Sequence, residues 1–82
     1  SGFQGRYDYA RGNFESKNYE GGVQEFEKLL EEYPSAKLAD NCQYWVGECY
    51  YGMKDYSRAI AEFEKVFSFQ ADDKFDDASI MI

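Results

Sequence analysis

Apolar residues recur at spacings of three and four along most of the chain, the pattern of helices that bury one face. The pattern itself returns after 37 residues, since the segment from Tyr19 to Leu29 matches the segment from Tyr56 to Val66. The equivalent apolar positions are Tyr19 and Tyr56, Val23 and Ile60, Phe26 and Phe63, and Leu30 and Phe67. A fixed period of this length predicts a helical repeat array, in which each unit buries its apolar face against its neighbour.

Five helices account for nearly the whole sequence. We predict that they run from about Gln4 to Ser16, Tyr19 to Glu32, Ala36 to Met53, Tyr56 to Phe69, and from Asp72 or Asp73 onward. Pro34 ends the second helix because proline cannot continue one. The expected caps of the second, third and fourth helices are Asn18, Ser35 and Asp55. The connections are short, so consecutive helices are expected to form antiparallel hairpins.

A helical wheel of the third helix separates two faces. The core stripe comprises Ala39, Cys42, Gln43, Val46, Cys49, Tyr50 and Met53, with Leu38 and Trp45 beside it. The opposite face comprises Asn41, Tyr44, Glu48 and Tyr51. Gly47 is expected to let a neighbouring helix approach closely. In the fourth helix, Phe63 is expected to be a core residue whose replacement by alanine unfolds the domain.

Composition limits the possible partners. The 82 residues, 44% of them apolar and 20% aromatic, suffice for one small core. The net charge of −7 disfavours nucleic acid and anionic membranes, because binding to either requires a basic face. The acidic excess either maintains solubility or forms an acidic groove for a basic partner. No stretch approaches the roughly 20 apolar residues of a membrane span.

The sequence offers little for catalysis or metal binding. It contains no histidine, the usual general base and the commonest zinc ligand. Cys42 and Cys49 lie about 10 Å apart along one helix, too far for a disulfide, and are expected to be buried apolar residues. The one acidic cluster lacks the glycine turn of a calcium loop. It comprises Asp72, Asp73, Asp76 and Asp77. We expect no enzymatic activity, no metal and no cofactor.

Both ends of the sequence carry expectations. Ser1-Gly2 resembles the remnant of a processed terminus, so the native chain is expected to begin upstream. The last three residues, Ile80, Met81 and Ile82, are apolar and lie within a predicted helix. Because repeat arrays need a polar capping helix, either further residues follow or this end is buried in another chain, as in a homo-oligomer.

A known family carries the same motifs. In the second repeat, Trp45-Val-Gly47-Glu, Tyr50-Tyr51, Asp55-Tyr56, Ala59-Ile60 and Phe63 resemble the tetratricopeptide repeat (TPR). The first repeat is similar, although Ala10-Arg11 and Asn13 replace the expected glycine and tyrosine. The resemblance implies an all-α, right-handed superhelix of antiparallel helix hairpins in one domain, residues 1–82. Repeat one would span about 4–34 and repeat two about 36–70, with the first helix of a third repeat at about 72–82.

A narrower resemblance follows from the period of 37 residues instead of 34. With the linker Tyr33-Pro34-Ser35, it is similar to bacterial cell-envelope TPR proteins, among them the C-terminal TPR domain of the Tol–Pal cell-division coordinator. This resemblance implies a periplasmic location, with a cytoplasmic one as the alternative.

The resemblance also implies a non-catalytic scaffold that binds a peptide or a partner domain in the concave groove lined by the first helix of each repeat. The groove residues would be Gln4, Tyr7, Arg11, Phe14, Asn41, Tyr44, Glu48 and Tyr51. Aromatic rings beside a carboxylate suit an extended peptide with an apolar and a basic side chain. Two alternatives stay open: Tyr44 and Tyr51 pack against the next repeat, or the module assembles with itself through its C-terminal helix.

Overall fold

The computed structural model describes residues 2–34 and 36–73, and these form helix hairpins. The helices are α1 (Phe3–Glu15), α2 (Tyr19–Glu32), α3 (Ala36–Gly52) and α4 (Tyr56–Asp73). The described part of the chain contains no strand. The predicted all-α class and the hairpin arrangement are confirmed.

Equivalent turns join the two helices within each hairpin. Lys17 and Lys54, 37 residues apart, both adopt left-handed backbone conformations, with φ of 68° and 66°. At the start of α2 the Asn18 side chain accepts a hydrogen bond from the amide of Gly21 at 3.4 Å. At the start of α4 the Asp55 carboxylate accepts one from the amide of Arg58 at 3.4 Å. These caps are confirmed, whereas the predicted cap Ser35 lies outside the described residues.

The end of α4 differs from the prediction. The first three helices match their predicted bounds to within one residue, but α4 continues to Asp73 instead of ending near Phe69. Position 71 is equivalent to Pro34 but holds alanine, the residue that favours a helix most. Asp72 and Asp73 therefore lie within α4, where the prediction placed the start of a fifth helix. The rest of the predicted third repeat, residues 74–82, lies outside the described residues.

The core forms where α2 is enclosed between α1 and α3. Its buried cluster comprises Ala10, Val23, Phe26, Leu29, Cys42, Val46 and Cys49. Of the stripe predicted on α3, Ala39 and Gln43 are also buried, while Tyr50 and Met53 are half-buried. The prediction missed Leu29, which is fully buried.

The stripe predicted on α4 is largely outside the core. Tyr56, Ile60 and Phe67 are exposed, and Phe63 is half-buried. Among the described helices, α4 packs against α3 alone, whereas the equivalent helix α2 packs against two neighbours. The contact between α3 and α4 is close at Gly47, as predicted, because a Cβ atom built there would lie 2.6 Å from Cε1 of Phe63.

Candidate functional site

The eight predicted groove residues form four pairs at the offset of 37 residues. The pairs are Gln4 and Asn41, Tyr7 and Tyr44, Arg11 and Glu48, and Phe14 and Tyr51. The first member of each pair lies on α1 and the second on α3, the first helices of their hairpins. The two sets differ in burial, however. Tyr7, Arg11 and Phe14 are half-buried, whereas Asn41, Tyr44 and Tyr51 are exposed.

Trp45 explains the burial of the α1 residues. Its indole Nε1 donates a 2.7 Å hydrogen bond to the hydroxyl of Tyr7. Its ring lies edge-on to Phe14 at a centroid distance of 5.1 Å. The guanidinium carbon of Arg11 lies 5.3 Å from the centre of the Trp45 ring, within range of a cation–π interaction. The contact between α1 and α3 is therefore built around one side chain of α3.

Tyr44 lies on the other side of Trp45. The two rings are 5.5 Å apart in an edge-to-face arrangement, and Tyr44 also lies 5.7 Å from Phe63. A hydrogen bond from its hydroxyl to the Glu48 carboxylate raises the pKa of Tyr44, and burial and the charge of Glu48 add to the shift. An exposed phenol therefore lies beside a carboxylate one turn away on α3.

We call these residues the tryptophan cluster: Tyr7, Arg11, Phe14 and Tyr44 around Trp45. Sequence reasoning placed Trp45 beside the core stripe and missed its central position. The sequence did indicate this position. Trp45 follows Asn41 by four residues and precedes Glu48 by three, which puts all three on the same side of the helix.

The remaining predicted residues have contacts of their own. The Gln4 amide donates a 2.9 Å hydrogen bond to Asp8, one turn further along α1. Tyr51 lies 5.3 Å from Tyr56 across the turn between α3 and α4. Within the cluster, Arg11 also forms an ion pair with Glu15, in which its Nη2 atom lies 3.7 Å from Oε2 of the carboxylate. The buried Nε atom of Arg11 has no hydrogen-bond partner. The structure thus joins four of the eight predicted residues in one cluster. Glu48 lies beside Tyr44 of that cluster, and Gln4, Asn41 and Tyr51 lie outside it.

A buried polar link between α3 and α4 also escaped the sequence analysis. The Gln43 amide donates hydrogen bonds to the backbone carbonyl of Glu62 at 3.1 Å and to its carboxylate at 2.6 Å. Sequence placed Gln43 in the core stripe but gave no partner for it. Because both bonds satisfy a buried amide, they fix the register of the hairpin.

Away from the predicted groove residues, a concavity of about 470 Å³ lies between α2 and the start of α4. Its charged rim includes Glu20, Asp55 and Arg58, and Tyr50 contributes to its wall. Arg58 is already engaged there, because it lies 3.9 Å from the Asp55 carboxylate and 5.4 Å from the centre of the Tyr50 ring.

Other kinds of site find no support in the described ranges. Among the residues whose side chains the structure describes, no group of three acidic, cysteine or histidine side chains converges as a metal site would require. Of the acidic cluster, Asp76 and Asp77 lie outside those ranges, as do Ile80, Met81 and Ile82. None of the described helices combines the length and apolar character needed to cross a membrane.

Comparison with known proteins gives one match. The family model of the tetratricopeptide repeat matches residues 4–36 and 41–76, which together make up most of the chain. No curated protein and no solved structure matches the sequence significantly.

Proposed function

Because the chain belongs to the tetratricopeptide repeat family, whose repeats generally mediate protein–protein interaction, we propose that it is a scaffold that binds an extended peptide along α1 and α3. Members of this family are typically non-catalytic interaction modules. The peptide would bind along one row of side chains on these two helices, which comprises Gln4, Arg11, Asn41, Tyr44, Glu48 and Tyr51.

The observation that carries the proposal is the exposed Tyr44 ring, edge-to-face with Trp45 and beside the Glu48 carboxylate. Tyrosine and tryptophan supply large contact areas at a low cost in conformational entropy, and both are enriched where binding energy concentrates. Glu48 adds a negative charge next to these rings. A peptide segment with an apolar side chain followed by a lysine or arginine matches this surface.

A role in the bacterial cell envelope, in the periplasm, is the finer part of the proposal. Its support is the 37-residue period and the Tyr33-Pro34-Ser35 linker, which resemble envelope TPR proteins. A peptide carrying the carboxylate of a chaperone tail suits the surface poorly, since Glu48 would repel it.

The experiment compares Glu48→Lys with Glu64→Lys, an exposed residue of α4 whose replacement changes the net charge by the same amount. Both variants and the wild type would be used to select from a displayed library of extended peptides and to capture proteins from bacterial envelope extract. We expect Glu48→Lys to weaken binding of the selected peptides at least about tenfold, or about 1.4 kcal/mol, and Glu64→Lys to leave it unchanged.

Circular dichroism would establish that both variants keep the helical content of the wild type. Peptides that bind Glu48→Lys as tightly as the wild type would contradict the proposed row. Selection of acidic instead of basic peptides would contradict the proposed partner chemistry.

A further inference from the structure

The two repeats carry opposite charges at one equivalent position of the proposed peptide row. Arg11 lies on α1, and Glu48, 37 residues later, lies on α3. The two charges do not pair with each other in the described part of the chain, where the ion pair of Arg11 is with Glu15. A segment that crosses from the first repeat to the second therefore meets a cation and then an anion.

The guanidinium of Arg11 is held in position by the first repeat and by α3 together. Its central carbon lies 5.3 Å from the centre of the Trp45 ring, and its Nε atom is buried. The side chain as a whole is 44% exposed. Arg11 thus lies at the contact between the two repeats, with part of its guanidinium open to a ligand.

The hydrogen-bonding capacity of this guanidinium is largely unused. The Glu15 carboxylate lies 3.7 Å away, beyond the distance of a hydrogen bond, and is itself 69% exposed. Among the described residues, Arg11 donates no side-chain hydrogen bond, whereas Arg6 donates one to Glu32. An exposed ion pair contributes about 0–1 kcal/mol, so an incoming carboxylate can replace Glu15 at little cost.

A carboxylate is the ligand that matches these properties. A guanidinium presents its N–H donors in a planar fork, which binds a carboxylate through two parallel hydrogen bonds. A guanidinium that already lies against an aromatic ring also loses less conformational freedom when a ligand binds.

We propose that Arg11 binds an acidic residue of the peptide, so that the partner segment carries an acidic residue on one side of an apolar residue and a basic residue on the other. The inference rests on the proposed function and deepens it, since Glu48 binds the basic residue and the apolar residue lies between them, beside Trp45. A segment with acidic residues alone is excluded, because Glu48 repels it.

The geometry also gives the spacing of the two charges in the peptide. Helices in contact, as α1 and α3 are, have axes about 8–10 Å apart. An extended peptide advances about 3.1–3.4 Å per residue. The acidic and basic residues of the partner are therefore expected about three positions apart.

The test uses a displayed library of peptides in which a leucine is followed by a lysine and the flanking positions are random. Selection with the wild-type protein is expected to enrich an acidic residue before the leucine, about three positions from the lysine. A selected peptide would then be synthesised in two forms, one with its acidic residue and one with the corresponding amide. Fluorescence anisotropy would measure both affinities, and we expect the amide form to bind at least about fivefold more weakly.

Arg11→Gln provides the decisive comparison. It is expected to weaken binding of the acidic form at least about fivefold and to leave binding of the amide form unchanged, because both replacements remove the same contact. A purely structural role of Arg11 beside Trp45 would instead weaken both forms. Arg58→Gln is the matched control, since it removes the same charge from an exposed arginine outside the row and is expected to change neither affinity.

Two outcomes would overturn the inference and leave the proposed row standing, provided that Glu48→Lys still weakens binding. In the first, selection enriches no acidic residue before the leucine. In the second, Arg11→Gln weakens the acidic and amide forms equally. Binding to Glu48→Lys as tight as to the wild type would instead contradict the proposed function itself, so the two failures are distinguishable.

Discussion

At the scale of single residues, Trp45 makes the largest number of distinct interactions in the aromatic network. It combines a hydrogen bond to Tyr7, edge contacts to Phe14 and Tyr44, and a stacked contact to Phe26. These partners come from α1, α2 and α3. Each aromatic pair contributes about 0.5–1.5 kcal/mol beyond the burial of its area, so one side chain stabilises the contact between the two repeats through several neighbours.

The two cysteines are buried and free, as their position on the predicted core stripe indicated. Burial raises the pKa of both Cys42 and Cys49 from 9.0 to about 11, because an apolar environment disfavours the thiolate. For Cys49 the negative charge of Glu48 adds to the shift. The sulfur atoms therefore act as small apolar groups at neutral pH.

This burial predicts how stability depends on pH. Between pH 9 and about 11 the unfolded chain releases the thiol protons that the native state retains. The unfolded state then binds fewer protons than the native state, so the free energy of unfolding falls as pH rises through this interval. Urea unfolding at several pH values would measure the fall. A Cys42→Ala/Cys49→Ala protein, which lacks both thiols, is expected to show a smaller fall; equal slopes would contradict the assignment.

At the scale of helices, the comparison of α2 with α4 shows how one residue determines how far a helix continues. Pro34 ends α2 at Glu32, whereas α4 continues to Asp73 because position 71 holds alanine. The period of 37 residues predicts equivalent helix ends only where the residues that stop or cap a helix are also equivalent. The turn lysines and the caps Asn18 and Asp55 are equivalent, and there the two hairpins agree.

The equivalent phenylalanines of α2 and α4 are predicted to differ in their contribution to stability. Phe26 is fully buried between α1 and α3, and its replacement by alanine should cost about 3–5 kcal/mol. Phe63 is half-buried, so Phe63→Ala should cost about 1–2 kcal/mol, less than its position in the sequence pattern alone implies.

Urea unfolding followed by far-UV circular dichroism would measure both values. Each variant is the control for the other, since the chemical change is the same at repeat-equivalent positions. Equal costs at the two sites would show that Phe63 is covered as completely as Phe26.

At the scale of the whole molecule, the described helices form a stack in which each packs mainly against its neighbours in sequence. The inner helices α2 and α3 have a partner on each side. Among the described helices, the outer ones have fewer contacts than the inner ones, and α4 packs against α3 alone. Stability is therefore expected to be higher in the middle of the stack than at its outer helices.

Hydrogen exchange would test this gradient. We expect the amides of α4 to exchange at least about tenfold faster than those of α2, because α4 can separate from α3 without disturbing the rest of the core. Equal protection of α2 and α4 in the free protein would contradict the gradient.

The sequence by itself determined helices α1 to α3, the start of α4, the caps Asn18 and Asp55, the repeat period and the family. These follow from properties local to each segment: the spacing of apolar residues, the capping side chains Asn18 and Asp55, and the proline at position 34. The core stripe of α3 was predictable for the same reason, since Cys42, Val46 and Cys49 lie on one side of a regular helix.

Only the tertiary structure decided which of two equivalent aromatic residues is covered. Tyr7 and Tyr44 have the same place in their repeats, yet α3 packs over the first, while the second stays exposed. The central position of Trp45 and the link from Gln43 to Glu62 were decided in the same way. Burial and hydrogen bonding depend on the neighbouring helix, and no pattern within a single repeat records which neighbour is present.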